Sequence, residues 1–138
     1  MLDPSTPQGA RALQRLGDER IIWLTTVRLN GQPPTSPVWF LFEDGEFLIY
    51  SLPGTARTAN ITANPRVSLN LDGNGQGGDV VSIEGEARLD PEAPPSSEVA
   101  AYQERYREWI ARNGWTPDSF DADYPVAIRI RPTRTRAW

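Results

Sequence analysis

Arg57 stands in the stretch SLPGTARTANITANPRVSL, Ser51 to Leu69, directly after a run, GEFLIY, that reads as a strand. Thr55 to Asn64 has the composition of a short helix, with Thr55 a candidate cap. Pro65 ends it, because proline pushes the residue before it out of the helical region. Arg57 then falls in the first turn, where free backbone N–H groups and the helix dipole already favour an anion. A guanidinium adds a planar fork that matches phosphate oxygens, and Thr55, Thr58 and Asn60 can donate further hydrogen bonds. This pattern suits a phosphate-bearing ligand. A solvated surface arginine beside a capping threonine is the plain alternative.

The C-terminal stretch YPVAIRIRPTRTRAW is the second concentration of such residues, with Arg129, Arg131, Arg134 and Arg136. If Thr133 to Trp138 is extended, Arg134, Arg136 and Trp138 project from one side, because side chains alternate along a strand. An indole beside guanidinium groups can cover a flat ring while the arginines meet an anionic tail. The alternative is a solvated edge strand whose charges prevent aggregation.

The absences narrow the chemistry. The chain has no His, no Cys and no Lys, so all 14 of its basic residues are arginine. Zinc and most transition metals lose their usual ligands, and thiol nucleophiles, histidine bases and lysine Schiff bases are excluded. Chemistry beyond carboxylate or hydroxyl work must come from a bound cofactor. A net charge of −4 argues against a nucleic-acid binder. No apolar run approaches membrane-spanning length, and MLDPSTPQGARAL lacks a basic region followed by an apolar core, which makes the cytoplasm the default location. A length of 138 residues is one domain's worth, and short enough that oligomerisation is a common remedy for exposed apolar surface.

The elements that must position these residues follow from capping and periodicity. Thr6-Pro7 reads as an N-cap with proline at the first helical position, Gly17 as the stop. Arg20 to Leu29 is strand-like and Asn30-Gly31 is a hairpin signal. Thr35 to Glu43 and Glu46 to Leu52 make the next two strands, joined at Asp44-Gly45, with Val38, Phe40 and Phe42 opposed to Trp39 and Leu41. Arg66 to Leu71 and Val80 to Leu89 follow, the latter with Val81, Ile83, Ala87 and Leu89 inward. Between them DGNGQGGD is a loop near the site mouth, since it lacks the glycine phasing into a helix that a dinucleotide fingerprint needs. Ser97 to Asn113 is an amphipathic helix with Val99, Tyr102, Tyr106, Trp109 and Ile110 on one face, a Glu108–Arg112 pair on its surface, and Gly114 as terminator. The tail supplies one or two strands broken at Pro132. Six to seven short strands with peripheral helices predict a mainly β (α+β) fold, a small antiparallel barrel spanning residues 1–138 as a single domain.

The segment PTSPVWFLFEDGEFLIYSLPGTARTANITANPRVSLNL closely resembles the split β-barrel superfamily that includes pyridoxamine-phosphate oxidase and the deazaflavin (F420)-dependent oxidoreductases. The motifs are Pro37 to Phe40 on a strand, Tyr50-Ser51 closing the next, a basic residue before a short helix, and Asn64 to Leu69 opening the following strand. DGNGQGGDVVSIEGEARL and RPTRTRAW look like the deazaflavin branch. The basic residue is typically lysine in that family, and here it is Arg57. The substrate-binding residues of the pyridoxamine oxidase have no counterparts, so its specific activity is not carried over.

The resemblance implies a homodimer with the cofactor in a groove between subunits. It implies ring binding along Thr35, Ser36, Pro37, Val38 and Trp39 and at Tyr50 and Ser51, with phosphate near Arg57, Thr58 and Asn60. Arg134, Arg136 and Trp138 would then meet the glutamate tail and ring of F420. The function this implies is an F420-dependent oxidoreductase passing a hydride to a small hydrophobic acceptor. FMN in the same fold and a non-catalytic carrier are the alternatives. No protein acid or base is evident, so a proton would come from water or from an exposed hydroxyl such as Tyr50 or Ser51. Trp39 is either buried at a partner or ordinary barrel core.

Overall fold

The computed structural model describes all residues from Met1 to Trp138. The elements in chain order are α1 (Pro7–Asp18), β1 (Ile21–Thr25), β2 (Thr35–Trp39), β3 (Leu41–Glu43), β4 (Glu46–Ser51), α2 (Ala56–Ala63), β5 (Arg66–Asn70), β6 (Val81–Leu89), α3 (Ala100–Arg112), α4 (Pro117–Asp123) and β7 (Val126–Ala137). The strands form one antiparallel sheet in the order β2-β1-β5-β6-β7-β4-β3. Its two outermost strands, β2 and β3, are separated in sequence by the single residue Phe40. One residue spans only a few ångströms, so the sheet must curl until its edges meet. The fold is the expected α+β split barrel. No helix is long and apolar enough to cross a membrane.

The strand expected from Thr35 to Glu43 is therefore two, and the break does not disturb the alternation. Val38 and Phe40 are buried inside the barrel with Phe42 packed against them, while Trp39 and Leu41 face outward. What changes at Phe40 is the neighbour: the chain leaves the β1 ladder and joins that of β4. The orphaned backbone groups of Phe40 are taken up by α3. Its N–H donates to the Tyr106 hydroxyl at 2.8 Å, its carbonyl oxygen lies 2.7 Å from that hydroxyl, and it accepts from Arg105 Nε at 3.1 Å.

Turn chemistry is satisfied locally. Asp44 and Gly45 have φ of 54° and 77°, the left-handed pair that a two-residue hairpin between twisted strands requires. Thr6 and Thr55 cap α1 and α2 through their side-chain oxygens, as their positions imply. β7 runs unbroken through Pro132, contrary to the expected break. A register shift at Glu84/Gly85 sets Gly85 opposite the proline, so the missing N–H falls at the irregularity. A Cβ at Gly85 would lie 2.9 Å from the Arg131 carbonyl oxygen, so glycine is needed for the strands to approach there. Leu89, expected inward, is exposed at the strand end. Glu108 and Arg112 form no ion pair.

Two apolar clusters result, one on each side of the sheet. The barrel interior holds 17 buried residues, among them Leu16, Ile22, Phe40, Phe47, Ile49, Ile83 and Ile128. The outer cluster holds Leu41, Leu48, Tyr50 and Ala127 from the strands against Tyr102, Tyr106, Ile110 and Phe120 from α3 and α4. Strand β4 contributes to both by strict alternation. The glycine-rich loop lies elsewhere. The buried Arg15 guanidinium donates to the carbonyl oxygens of Asp72 and Asp79, tying both ends of that loop to α1.

Candidate functional site

Two pockets meet at Arg57. The first, of about 360 Å³, is polar and is lined by Thr26, Arg28, Thr35, Ser36, Thr55 and Asn60 together with Arg57 and four apolar residues. The polar residues arrive by three routes. Thr26 and Arg28 follow β1, Thr35 and Ser36 open β2, and Thr55, Arg57 and Asn60 belong to the first turns of α2 and its cap. The N–H groups of that first turn and the arginines point to the same charge preference.

Arg57 is half-buried and donates from Nη2 to Ser36 Oγ at 2.8 Å, its one hydrogen bond. No carboxylate pairs with it, and burial pulls its pKa below the ordinary arginine value. A guanidinium stays protonated even so. Arg28, which lines the same pocket, is exposed and also has no carboxylate partner. Asn60 Nδ2 donates to Thr26 Oγ1 at 3.0 Å, and the Thr25 and Thr35 hydroxyls share a hydrogen bond at 2.5 Å. No acidic side chain lines this pocket.

The second pocket, of about 260 Å³, is aromatic. Pro37 and Val38 of β2 and Asn113 at the end of α3 line it with Arg57, and its walls are Trp39, Tyr50, Tyr102, Trp115, Phe120 and Tyr124. Trp39 is neither barrel core nor bare surface. It is half-buried on the outer face, stacked on Tyr106 at 4.8 Å and 1° and on Phe120 at 5.6 Å and 11°. Such offset stacks hold the indole plane fixed.

The sequence-derived residues are distributed over these surfaces. Thr35, Ser36, Arg57 and Asn60 converge on the polar pocket, and Pro37, Val38, Trp39 and Tyr50 on the aromatic one. Thr58 and Ser51 line neither: Thr58 is buried and donates to the Thr55 carbonyl oxygen, and Ser51 Oγ donates to the Leu52 carbonyl oxygen at 3.2 Å. The expectation of an exposed hydroxyl at Tyr50 or Ser51 is corrected. Both are buried, the Tyr50 hydroxyl donates to the Pro94 carbonyl oxygen at 2.7 Å, and burial pushes its pKa up to about 12.

The C-terminal residues line neither pocket. Arg134 and Arg136 share the outer side of the β6–β7 ladder, opposite Glu84 and Ser82. Arg129 pairs with Asp90 at 2.7 Å, Arg131 with Glu86 at 3.1 Å and Arg134 with Glu84 at 4.0 Å, while Arg136 has no carboxylate partner. Trp138 is 59% exposed and extends the ladder through paired backbone bonds with Val80. The glycine-rich loop, expected at the site mouth, borders neither pocket.

Sequence reasoning missed α4 and with it Trp115, Phe120 and Tyr124. The signal was present: Thr116-Pro117 repeats the cap-then-proline pattern of Thr6-Pro7, and the structure shows a full capping box there. Arg28 carried no local signal, because only the folded sheet brings the end of β1 beside α2.

No curated protein matches the chain. Solved structures do. A conserved hypothetical protein from Mycobacterium tuberculosis is 26% identical, with 94% of this chain and 82% of that one covered and a TM-score of 0.74. An F420 reductase is 22% identical over 89% of this chain and 94% of that one, with a TM-score of 0.66. An FAD-binding protein from Mesorhizobium loti is 23% identical over 91% and 88%, with a TM-score of 0.65. The last two likenesses are likenesses of fold. The sequence signature described as pyridoxamine 5'-phosphate oxidase matches residues 9–138, nearly the whole length, and with the curled seven-stranded sheet it shows that the chain belongs to the pyridoxamine 5'-phosphate oxidase family.

Proposed function

We propose that this chain is an F420-dependent oxidoreductase that seats the cofactor's phosphate at Arg57 and acts on a small hydrophobic acceptor. The polar pocket carries this reading. It gathers two arginines, four hydroxyl side chains and an amide without one carboxylate, in a chain of 18 acidic residues and net charge −4. Two guanidinium groups without carboxylate partners line one pocket with hydroxyl donors, and an anion bound among them would offset their mutual repulsion. The fit to a phosphate is good on donor type and charge.

When bound, a deazaflavin or flavin supplies the hydride chemistry. The protein's own residues bind and orient. Ser36 fixes one arm of the Arg57 fork, leaving its other N–H groups for the anion. Trp39, Phe120 and Tyr124 wall off water beside it. The chain offers no general acid here, because the Tyr50 phenol is held at Pro94 and resists ionisation, so a proton reaches the product from water.

The likeness to an F420 reductase supports the deazaflavin, and that to an FAD-binding protein supports a flavin. FMN is the second reading, and one observation favours it. Three of the four C-terminal arginines already face carboxylates of their own chain, which leaves fewer of them for a glutamate tail. Because Arg134, Arg136 and Trp138 line neither pocket of their own chain, they would reach a cofactor only from a second copy. The reading is accordingly a cytoplasmic homodimer with the cofactor between subunits.

The test is a titration of the purified protein with F420 and with FMN by calorimetry, alongside light scattering. Saturable F420 binding tighter than FMN, by a dimer, is expected. Tight FMN binding with weak F420 binding replaces the first reading by the second. A monomer that binds neither ends both.

A further inference from the structure

The polar pocket is larger than a phosphate needs. About 360 Å³ falls in the range of sites that take a whole small molecule, so a phosphate alone fills only part of it. Its two cations come from separate parts of the chain. Arg57 stands on α2 with Ser36 and with the N–H groups of Ala56 and Arg57, which neither the Thr55 cap nor the helix takes up. Those donors suffice for one anionic group. Arg28, beyond the end of β1, is a second cation with no assigned partner.

The backbone of Arg28 is fixed. Its N–H donates to the Gln32 carbonyl oxygen at 2.9 Å, and its own carbonyl oxygen accepts from the Gly31 N–H at 2.8 Å. The Thr26 N–H donates to the Pro34 carbonyl oxygen at 3.1 Å, so hydrogen bonding continues past the β1–β2 ladder into the turn. The Arg28 side chain has no carboxylate partner, although acidic residues outnumber basic ones, 18 to 14. The C-terminal arginines contrast with it: Arg129, Arg131 and Arg134 face carboxylates, and none of them lines this pocket. An uncommitted guanidinium is a planar fork suited to a carboxylate.

We propose that Arg28 binds a carboxylate that follows the phosphate of the ligand, so that the pocket reads a phosphate–carboxylate pair. This rests on the reading of Arg57 as the phosphate site. For a deazaflavin, Arg28 then takes the first carboxylate of the anionic tail within the same chain that holds the phosphate. A cofactor that ends at its phosphate leaves Arg28 in water, which makes this residue a determinant of specificity between the two.

The probes are methyl phosphate and phosphoglycolate, which differ by one carboxylate, titrated calorimetrically at low salt. Wild type should bind phosphoglycolate about fivefold tighter, the upper end for one exposed ion pair. Arg28→Gln should bring the two within about twofold while keeping methyl phosphate affinity within about twofold. Arg28 has no ion pair to lose, so this variant should melt with wild type. Arg66→Gln removes another exposed arginine without a carboxylate partner, one that lies outside the pocket, and should keep the preference. Equal affinities in wild type, a preference that survives Arg28→Gln, or one lost equally in Arg66→Gln would each overturn the proposal. Pyrophosphate binding tighter than phosphoglycolate, through Arg28, would overturn the carboxylate and assign a second phosphate instead. Failure of the phosphate reading shows separately, as methyl phosphate binding that is absent or indifferent to Arg57→Ala.

Discussion

The Tyr106 hydroxyl sits between the N–H and the carbonyl of Phe40, 2.8 Å from one and 2.7 Å from the other, at the one residue where the sheet changes partners. It is also 2.7 Å from the Arg20 carbonyl oxygen, just before β1. A single side chain on α3 thus stands in for a missing rung of the ladder and ties the two edges of the sheet to the helix that covers them. Tyr106→Phe keeps the stack on Trp39 and removes only the oxygen. It should destabilise the fold by ~1–3 kcal/mol, the cost of leaving a buried backbone group unsatisfied. Urea denaturation measures this, and a midpoint equal to wild type would show that the closure does not depend on the hydroxyl.

This closure also marks the limit of what residue patterns reveal. Val38, Phe40 and Phe42 alternate without interruption, so the sequence reads as one strand. The change of neighbour at Phe40 is a property of the rolled sheet and leaves no trace in polarity. Pro132 misled for the opposite reason. Its local rule, that proline breaks a strand, is overridden by Gly85 across the ladder, 47 positions away in sequence. Local signals with a local cause were legible: the Thr55 cap, the Asp44-Gly45 turn, and the inward face of β6 from Val81 to Ala87. Half of the site was legible too, the half on β2, β4 and α2. The aromatic wall from α4 was readable from Thr116-Pro117 but fell in a segment without apolar periodicity.

Alkaline stability should report the buried phenols. Burial raises the pKa of Tyr50 to about 12, and it raises Tyr102 and Tyr106 in the same direction. For groups whose folded value lies above the unfolded value of ~10, the contribution is intact below that value and lost as pH rises through the folded one. Stability should therefore be flat up to about pH 10 and fall between there and pH 12. The phenolate absorbance of these three should rise with unfolding rather than before it. Early ionisation of two or more of the four tyrosines in folded protein would contradict the burial.

Arg57→Ala removes a guanidinium whose one hydrogen bond is to Ser36, so the fold should survive with its melting temperature nearly unchanged. Affinity for F420 or FMN should fall by ~1.5–3 kcal/mol, the range for hydrogen bonds to a charged group. Arg28→Ala should weaken binding less, because Arg28 is exposed and its charge is screened. Fluorescence titration of Arg57→Ala at wild-type affinity would remove the phosphate from this pocket.

The C-terminal arginines separate F420 from FMN. A glutamate tail adds carboxylates beyond the phosphate, and their attraction to arginine is screened over ~10 Å at 0.1 M salt. Arg136 has no carboxylate partner, and the Arg134–Glu84 pair is long, at 4.0 Å, and exposed on both sides. Surface pairs of this kind contribute ~0–1 kcal/mol, so Arg134 can be recruited by a stronger anion at little cost. F420 affinity should thus fall from low to high salt more steeply than FMN affinity. Replacing Arg134 and Arg136 together by Gln should flatten the F420 dependence and leave FMN nearly unchanged. Trp138→Ala should act on ring binding, with little dependence on salt, because the indole is uncharged and its backbone pairing with Val80 is retained. If the double variant binds F420 with the wild-type salt slope, the tail arginines have no part in cofactor binding. The role of Arg134 is then the one its pair with Glu84 already describes, holding β7 to β6, and both arginines keep that outer face in water.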